Sequence, residues 1–339
     1  MSFNVLITSA SRKVSLVKSF REALGQTGGG GVIAADLSPM AAALYFADEH
    51  VLLPPDKDPG FVDTVLELCI GLGVKLVVPT RDEELPVFST NRERFLREGI
   101  RIMVASPDIV AICQDKLLFS EFCLLRNIPV PLSIDVRKTP SAYDFPLFLK
   151  PRFGKGSRNA VKVCSEEELR LAIKRCPDCI VQEYIKASEY TIDLFADFDG
   201  RVLSVVPRER LLVFGGESFV AKTRKIWPVI DEAARLSSIL GLVGHNTIQC
   251  FYDDGGVRFI EVNPRYGGAA SLGFAAGAHT PLMLVKLAKG YEVNPMIGEF
   301  TDNLVMARYT EDFIREESFF KQDDFFGKDK LFGGEKSCG

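Results

Sequence analysis

Among the 339 residues of this chain, the run Glu261-Val-Asn263-Pro-Arg265 is the best suited to chemistry. Residues two apart on a strand face the same side. Glu261 and Asn263 therefore present a carboxylate and an amide oxygen together, hard donors of the kind Mg²⁺ prefers, with a ligand's phosphate oxygens completing an octahedron. A third oxygen donor, Gln249, joins them in only one register. A two- or four-residue loop between the strands sets Gln249 against Ile260 and turns it away. A three-residue loop, Asp254-Gly255-Gly256, pairs Asp253 with Val257 and brings Gln249 opposite Glu261. Gly256 can take the positive φ of such a bulged loop, so the three-residue loop is expected, with Phe251 beside Phe259. Taken alone, Glu261-Val-Asn263 reads more simply as a solvent-facing strand end.

Other groups change that balance. A strand over Leu147–Lys150 runs through Pro151 into a Gly-rich loop, Arg152-Phe153-Gly154-Lys155-Gly156-Ser157-Arg158-Asn159, followed by a strand over residues 160–163. A helix then begins at Ser165, with Glu168 at capping-box spacing. The loop lacks the G-x-x-x-x-G-K-[ST] spacing and leads into no helix, so it is not a Walker A loop. It is either an ordinary surface hairpin or a flap whose N–H groups, with Lys155, Ser157 and Arg158, close over phosphates. Farther on, Asp199-Gly200 signals a two-residue hairpin turn. That turn pairs Phe198 with Arg201, Thr191 with Arg208 and Glu189 with Arg210, on a charged face that includes Asp193 and needs a polar cover.

The elements that position these residues fall into four stretches. Residues 1–112 alternate short apolar runs with amphipathic ones in a βαβαβ pattern, which implies a parallel sheet. The first turn, Thr8-Ser9-Ala10-Ser11-Arg12, has none of the dinucleotide-binding glycines. Gly28 to Gly31 precede a strand, so they read as a loop. Asp36-Leu-Ser-Pro39 and Pro79-Thr80-Arg81-Asp82-Glu83-Glu84 follow strands and read either as ligand contacts or as helix caps by Ser38 and Thr80. Residues 113–185 form a small α+β piece opening with a helix from Asp115. Residues 186–300 read as an antiparallel sheet with helices, and 301–339 as a short C-terminal docking segment with a disordered tail.

Composition narrows the function classes. Forty-one basic and 45 acidic residues leave a net charge of −4, which provides no basic field for nucleic acid or an anionic membrane. The sequence carries neither a secretory signal nor a membrane-length apolar run, so a cytoplasmic protein is expected. The eight cysteines are scattered and read as reduced thiols, with the Cys176-Pro-Asp-Cys179 spacing a coincidence. His50, His245 and His279 are too separated for a His-based site, although His245 can stand behind the charged face.

In this order the segments resemble the ATP-grasp superfamily, in particular its carbamoyl-phosphate-synthase-like and amino-acid-ligase-like members, over about residues 3–300. The resemblance implies an N-terminal Rossmann-like parallel-sheet domain, a small α+β lid and a larger antiparallel-sheet subdomain. It implies that Lys116, Lys150 and the flap glycines Gly154 and Gly156 with Ser157 contact the nucleotide. By the same resemblance Gln182, Glu183, Tyr184 and Ile185 form the adenine hinge, and Glu189 takes the ribose hydroxyls. Gln249, Glu261 and Asn263 would hold Mg²⁺, two ions in all, with Mn²⁺ an alternative, and Arg265 would meet the γ-phosphate or acyl phosphate. The implied activity is ATP-dependent activation of a small-molecule carboxylate for attack by an amine, and a homodimer is compatible with it. Arg210, Lys222 and Arg224 are candidates for gripping the substrate carboxylate beside a mobile loop at Val213-Phe-Gly-Gly-Glu-Ser. No glutaminase portion or second synthase half is seen. The alternatives are an ATP-responsive subunit without turnover and an NAD(P)-dependent enzyme using the N-terminal sheet.

Overall fold

The structure, a computed structural model, describes residues 3–138, 144–154 and 159–321. Lys155, Gly156, Ser157 and Arg158 of the expected flap, Cys338 and the expected disordered tail lie outside these residues. The chain divides into two compact units, one of residues 1–104, 279–293 and 310–339, the other of 105–278 and 294–309.

The first unit is built on a five-stranded parallel sheet: β1 (Asn4–Thr8), β2 (Val32–Asp36), β3 (Glu49–Leu52), β4 (Val74–Pro79) and β5 (Arg101–Ile102), in the order β3-β2-β1-β4-β5. Helices α1 (Val14–Gln26), α2 (Phe61–Gly71) and α3 (Leu85–Arg97) make the crossovers. The apolar runs over β1, β2 and β4 are almost fully buried, as strands covered on both faces must be. Strand β3 carries only one buried residue, Val51, so its sequence shows no apolar run to announce it. The glycine run is a loop, as its place before β2 implies. Gly30 has φ +133°, and a Cβ there would sit 1.9 Å from the Phe3 carbonyl oxygen, so only glycine fits. Thr80 caps no helix. Its hydroxyl donates to the carbonyls of Thr8 and Ser9, at 2.8 Å each, and ties the end of β4 to the turn after β1. Near the C-terminus, Phe313, Phe319 and Phe320 pack around Tyr45 with ring centroids 4.9–5.6 Å away.

The second unit has two antiparallel-type sheets. Helices α4 (Pro107–Gln114) and α5 (Lys116–Leu124) lead into a four-stranded sheet of β6 (Ser133–Asp135), β7 (Leu147–Pro151), β8 (Val161–Val163) and β9 (Cys179–Glu183), ordered β6-β9-β7-β8. Helix α6 (Glu166–Arg175) buries Leu169 against Leu147, Leu149, Val163 and Val181 on one face of it. The alternation of the strand then sends Lys150 to the other face. The larger sheet contains β10 (Ser188–Ala196), β11 (Val202–Phe214), β12 (Glu217–Thr223), β13 (Gly244–Asp253), β14 (Gly256–Asn263) and β15 (Val305–Ala307), ordered β14-β13-β10-β11-β12-β15. Its apolar face, with Ile192, Leu194, Ile248, Cys250, Phe259 and Val262, packs on α7 (Trp227–Leu240) and on Phe119 and Cys123 of α5.

Three local expectations are corrected. The β13–β14 turn has two residues, Asp254 and Gly255, with Asp253 opposite Gly256 rather than Val257. A bulge beside Cys250 then shifts the ladder by one residue, so Gln249 faces Glu261 after all, while Phe259 faces Cys250 in the core instead of stacking by Phe251. In the β10–β11 hairpin the turn spans residues 198–200, with Ala196 opposite Val202, and a bulge restores Thr191 opposite Arg208. The segment from Val213 is not an irregular loop. It is a hairpin in which β11 extends to Phe214, turns on Gly215 and Gly216, both at positive φ, and returns as β12.

The polar cover over the charged face comes partly from within. Arg208 and Asp193 are buried together, joined by hydrogen bonds of 2.7 and 2.8 Å, and α8 (Ser271–Ala275) lies over them. A Cβ on Gly273 would come within 2.8 Å of Asp193 Oδ2, which the Arg208 fork holds in place. Gly273→Ala is therefore expected to lower stability by about 1–3 kcal/mol, read as a lower urea midpoint at unchanged slope. An unchanged midpoint would mean that α8 is free to shift.

Candidate active site

The first half of the site is set where α5 meets β7. Asp115 is the N-cap of α5, accepting from the amides of Leu117 and Leu118, and it also takes the Arg152 guanidinium in a fork of 2.5–2.9 Å. Despite its partial burial, the Arg152 fork holds the Asp115 carboxyl below its ordinary range. The amide of Lys116 donates to the Arg152 carbonyl. This clamp fixes Lys116 beside the end of β7, where its Nζ lies 2.7 Å from the Gly154 carbonyl and 3.7 Å from Glu261. The clamp residues Asp115 and Arg152 were not singled out by sequence. Their signal was an N-cap aspartate directly before one candidate lysine and an arginine two residues after the other.

Lys150 is only 6% exposed, and its Nζ has no hydrogen-bond partner among the described residues. Burial lowers the pKa of its ammonium to about 8, with the charges of Glu261 and Glu189 opposing and Lys116 reinforcing. Glu189 lies 3.0 Å from Arg210 Nη1. Burial raises the Glu189 carboxyl, which Arg210 opposes and Glu261 adds to. Arg210 also donates to the Gly216 carbonyl at 2.9 Å, which leaves Nε as its unbonded nitrogen. Lys222 pairs across the ladder with Glu209, and Arg224 lies 3.8 Å from the same carboxylate. Glu209 lies opposite Tyr190 of the core, one residue out of phase with Arg210, so strand alternation puts Lys222 and Arg224 on the other face of the sheet from Arg210, and the expected grip by these two is corrected.

The second half is the end of β14. Asn263 donates from Nδ2 to Glu261 Oε1 at 3.1 Å, and Arg265 donates from Nη2 to Asn263 Oδ1 at 3.3 Å and from Nη1 to the Tyr266 carbonyl at 3.2 Å. Lys116, Glu261, Asn263 and Arg265 thus form one polar row, with Gln249 directly across from Glu261. Behind the row, Tyr266 stacks on His245 with centroids 4.2 Å apart, and His245 lies 3.6 Å from Asp193. Burial lowers the His245 pKa, so this histidine stands as a neutral packing group behind the site.

At the expected hinge, Gln182 is buried and donates to Ser133 Oγ at 2.6 Å, so its side chain braces β6. Glu183 accepts the Leu132 amide at 3.0 Å and donates its own amide to the Leu132 carbonyl, and Lys162 sits 4.2 Å over the Tyr184 ring. Ile185 follows beyond the end of β9. Cys176 and Cys179 are free thiols. Burial, with neighbouring Cys176, pushes Cys179 up to about 12, which leaves it inert.

The orphaned Lys150 ammonium fits a nucleotide's phosphates, because a buried cation without an acceptor is costly unless an anion reaches it. The donors of the β14 end fit Mg²⁺ too: one carboxylate and two amide oxygens leave positions for phosphate oxygens. No helix among the described residues is long and apolar enough to cross a membrane.

Residues 5–103 match the family model described as PylC-like, N-terminal domain, and residues 175–311 match the model described as ATP-grasp in the biosynthetic pathway with Ter operon. The chain is 26% identical over 216 residues to the carbamoyl phosphate synthase large chain of Thermoanaerobacter sp. (strain X514), covering 58% of this chain and 20% of that enzyme. It is 26% identical over 236 residues to the corresponding chain of Methanocorpusculum labreanum, 63% of this chain and 21% of that one. It thus aligns with only about a fifth of the length of these curated relatives. Among solved structures, the biotin carboxylase domain of the Hydrogenobacter thermophilus 2-oxoglutarate carboxylase, in complex with MgADP, ADP and bicarbonate, superposes with a TM-score of 0.71 at 16% identity, covering 90% of this chain and 74% of that one. The L-amino acid ligase of Bacillus licheniformis gives 0.68 at 18%, covering 85% and 74%. With its parallel-sheet N-terminal unit followed by two antiparallel sheets that carry this row of residues, the chain belongs to the ATP-grasp superfamily.

Proposed function

We propose that this protein binds Mg·ATP between its two antiparallel sheets and converts a small-molecule carboxylate to an acyl phosphate that an amine then attacks. The observation that carries this reading is the buried Lys150 ammonium, without a hydrogen-bond partner among the described residues and within the electrostatic reach of Lys116, Glu189 and Glu261. Lys116 and Lys150 neutralise phosphate charge, Glu189 accepts from the ribose hydroxyls, and the main chain at Glu183 and Ile185 reads the adenine edge. Gly154, with Gly156 and Ser157, closes the flap. Gln249, Glu261 and Asn263 would hold the metal, which when bound would offset the negative charge of the phosphates. Arg265 stabilises the oxygens on which negative charge gathers. Arg210, held by Glu189, orients that acid and grips the substrate carboxylate. The names of the neighbours, carboxylases and an amino acid ligase, agree with this class of reaction.

The direct test is ADP release over a panel of carboxylates paired with amines, alongside titration with Mg·ATP. Lys150→Met should weaken Mg·ATP binding by about 10- to 100-fold, the worth of a charge-assisted phosphate contact. It should not lower thermal stability, because it removes an uncompensated buried charge. The pH dependence carries the same signature. With its pKa lowered from 10.5 to about 8 by burial, Lys150 loses its proton in the folded protein before the unfolded chain does. Stability of the metal- and nucleotide-free protein therefore rises with pH between those values through this group, by about 3 kcal/mol. That rise should vanish in Lys150→Met. Unchanged ATP affinity in the variant would refute the reading.

A further inference from the structure

The N-terminal unit holds a cavity that the nucleotide reading does not use. Its volume is about 170 Å³, and it opens at the carboxyl ends of β1, β2 and β4, where open parallel sheets take their ligands. Ser9, Asp36, Asp56, Arg81 and Glu84 make its polar wall, and Leu53 and Phe61 are among its apolar residues.

Glu84 is the telling group. It is 3% exposed, and its two carboxylate oxygens accept the hydroxyls of Thr8, at 2.8 Å, and Ser9. Among the described residues it makes no ion pair. Burial raises its carboxyl above the ordinary range; the two hydroxyls oppose this, Arg81 and Lys13 do so only through longer-range charge, and Lys13 donates to the Ser9 carbonyl at 3.1 Å. A buried carboxylate that lacks a cation and lines a cavity is poorly solvated by its own protein. Asp36 is occupied by the amides of Ser11 and Ser38, and Arg81 sits at the rim beside Glu83, 3.3 Å away. The cavity therefore offers an unmatched negative charge inside, an apolar wall and a cationic side chain outside. A cavity of about 150 Å³ accepts a six-membered ring, so this one suits a molecule of about six to eight non-hydrogen atoms.

We propose that this cavity binds a small aliphatic amino acid, its ammonium against Glu84 and Ser9 and its carboxylate toward Arg81. The class follows from charge and size alone, and it is independent of the ATP site.

Calorimetric titration of the full chain without nucleotide or metal, using 4-aminobutanoate, butylamine and butanoate, tests it. 4-Aminobutanoate should bind, butylamine more weakly, and butanoate not at all. Glu84→Gln should weaken both amines about tenfold or more, whereas Arg81→Gln should weaken only 4-aminobutanoate. Glu84 also latches the turn after β1, so thermal unfolding of Glu84→Gln identifies a variant that simply misfolds. Arg81 is at the rim, so Arg81→Gln keeps the test decisive in that case. Binding of none of the probes, butanoate binding as well as 4-aminobutanoate, or an unchanged affinity in folded Glu84→Gln would overturn the proposal. Mg·ATP titrated into the same samples reports separately on the second unit.

Discussion

Glu261→Gln is expected to cut ADP release on the order of a thousandfold and to raise the Mg²⁺ concentration needed for half-maximal rate, while leaving the fold intact. Glu261 is the one carboxylate among the three donors assigned to the metal, so the substitution removes the site's formal negative charge toward the cation. Its shape and hydrogen bonding survive. A glutamine can still accept from Asn263 Nδ2, now 3.1 Å from Oε1, and still face Lys116. Because the substitution also removes the charge that faces Lys116 and Lys150, a stability loss of about 1 kcal/mol is expected, too small to unfold the protein. The lost charge also matters to Lys150, whose ammonium Glu261 supports against burial, so nucleotide affinity should weaken alongside turnover. Asn263→Asp in the Glu261→Gln background returns a carboxylate two residues along the same face and should recover part of the rate. Full turnover in Glu261→Gln would remove the metal assignment. A thousandfold loss with no change in Mg²⁺ dependence would recast Glu261 as a partner of the two lysines.

The register arguments show what the sequence could and could not reveal. For the β10–β11 and β13–β14 hairpins the turn length was misread, yet the pairing that matters was right, because a bulge corrects the ladder in each case. The physical reason is that the buried face fixes register more strongly than the turn does. Ile248, Cys250, Phe259 and Val262 must all enter the core, and one extra residue at the bulge is the cheaper adjustment. Turn chemistry at Asp254-Gly255 and Asp199-Gly200 is local, and it cannot announce a bulge several residues away. The β11–β12 hairpin was hidden for a related reason. Its tip residues Leu211, Leu212, Val213 and Phe214 are exposed, so no inward-outward alternation marks them as strand. What the sequence did carry was the polar face: residue types at period two, Glu261 with Asn263 and Glu189 with Thr191 and Asp193. It was blind to partners distant in the chain. Asp115 with Arg152, Glu84 with Ser9, and the Gly273 contact on Asp193 all depend on three-dimensional approach.

Arg265→Lys is expected to lower kcat by about a hundredfold, and Arg265→Met by about a thousandfold, with Mg·ATP affinity held within about threefold in both. The guanidinium is positioned before any ligand arrives. Its Nη1 meets the adjacent Tyr266 carbonyl and its Nη2 the Asn263 side chain, while its own amide donates to the Asn263 carbonyl at 2.8 Å. The backbone is pinned from below by the Thr247 hydroxyl on the Arg265 carbonyl at 3.0 Å, and Gly267 lets that hydroxyl approach, since a Cβ there would sit 2.7 Å from it. Tyr266 is fixed in turn by its stack on His245. A fork held this rigidly needs little reorganisation as charge builds on the transferred oxygens, and that stabilisation exists only while the charge is building. Lysine keeps the charge and loses the planar fork, so it should fall between wild type and methionine. The diagnostic is the split: kcat falls while the dissociation constant for Mg·ATP stays put. Equal losses in both would make Arg265 a ground-state phosphate contact, and an unchanged kcat in Arg265→Met would exclude it from the transfer step.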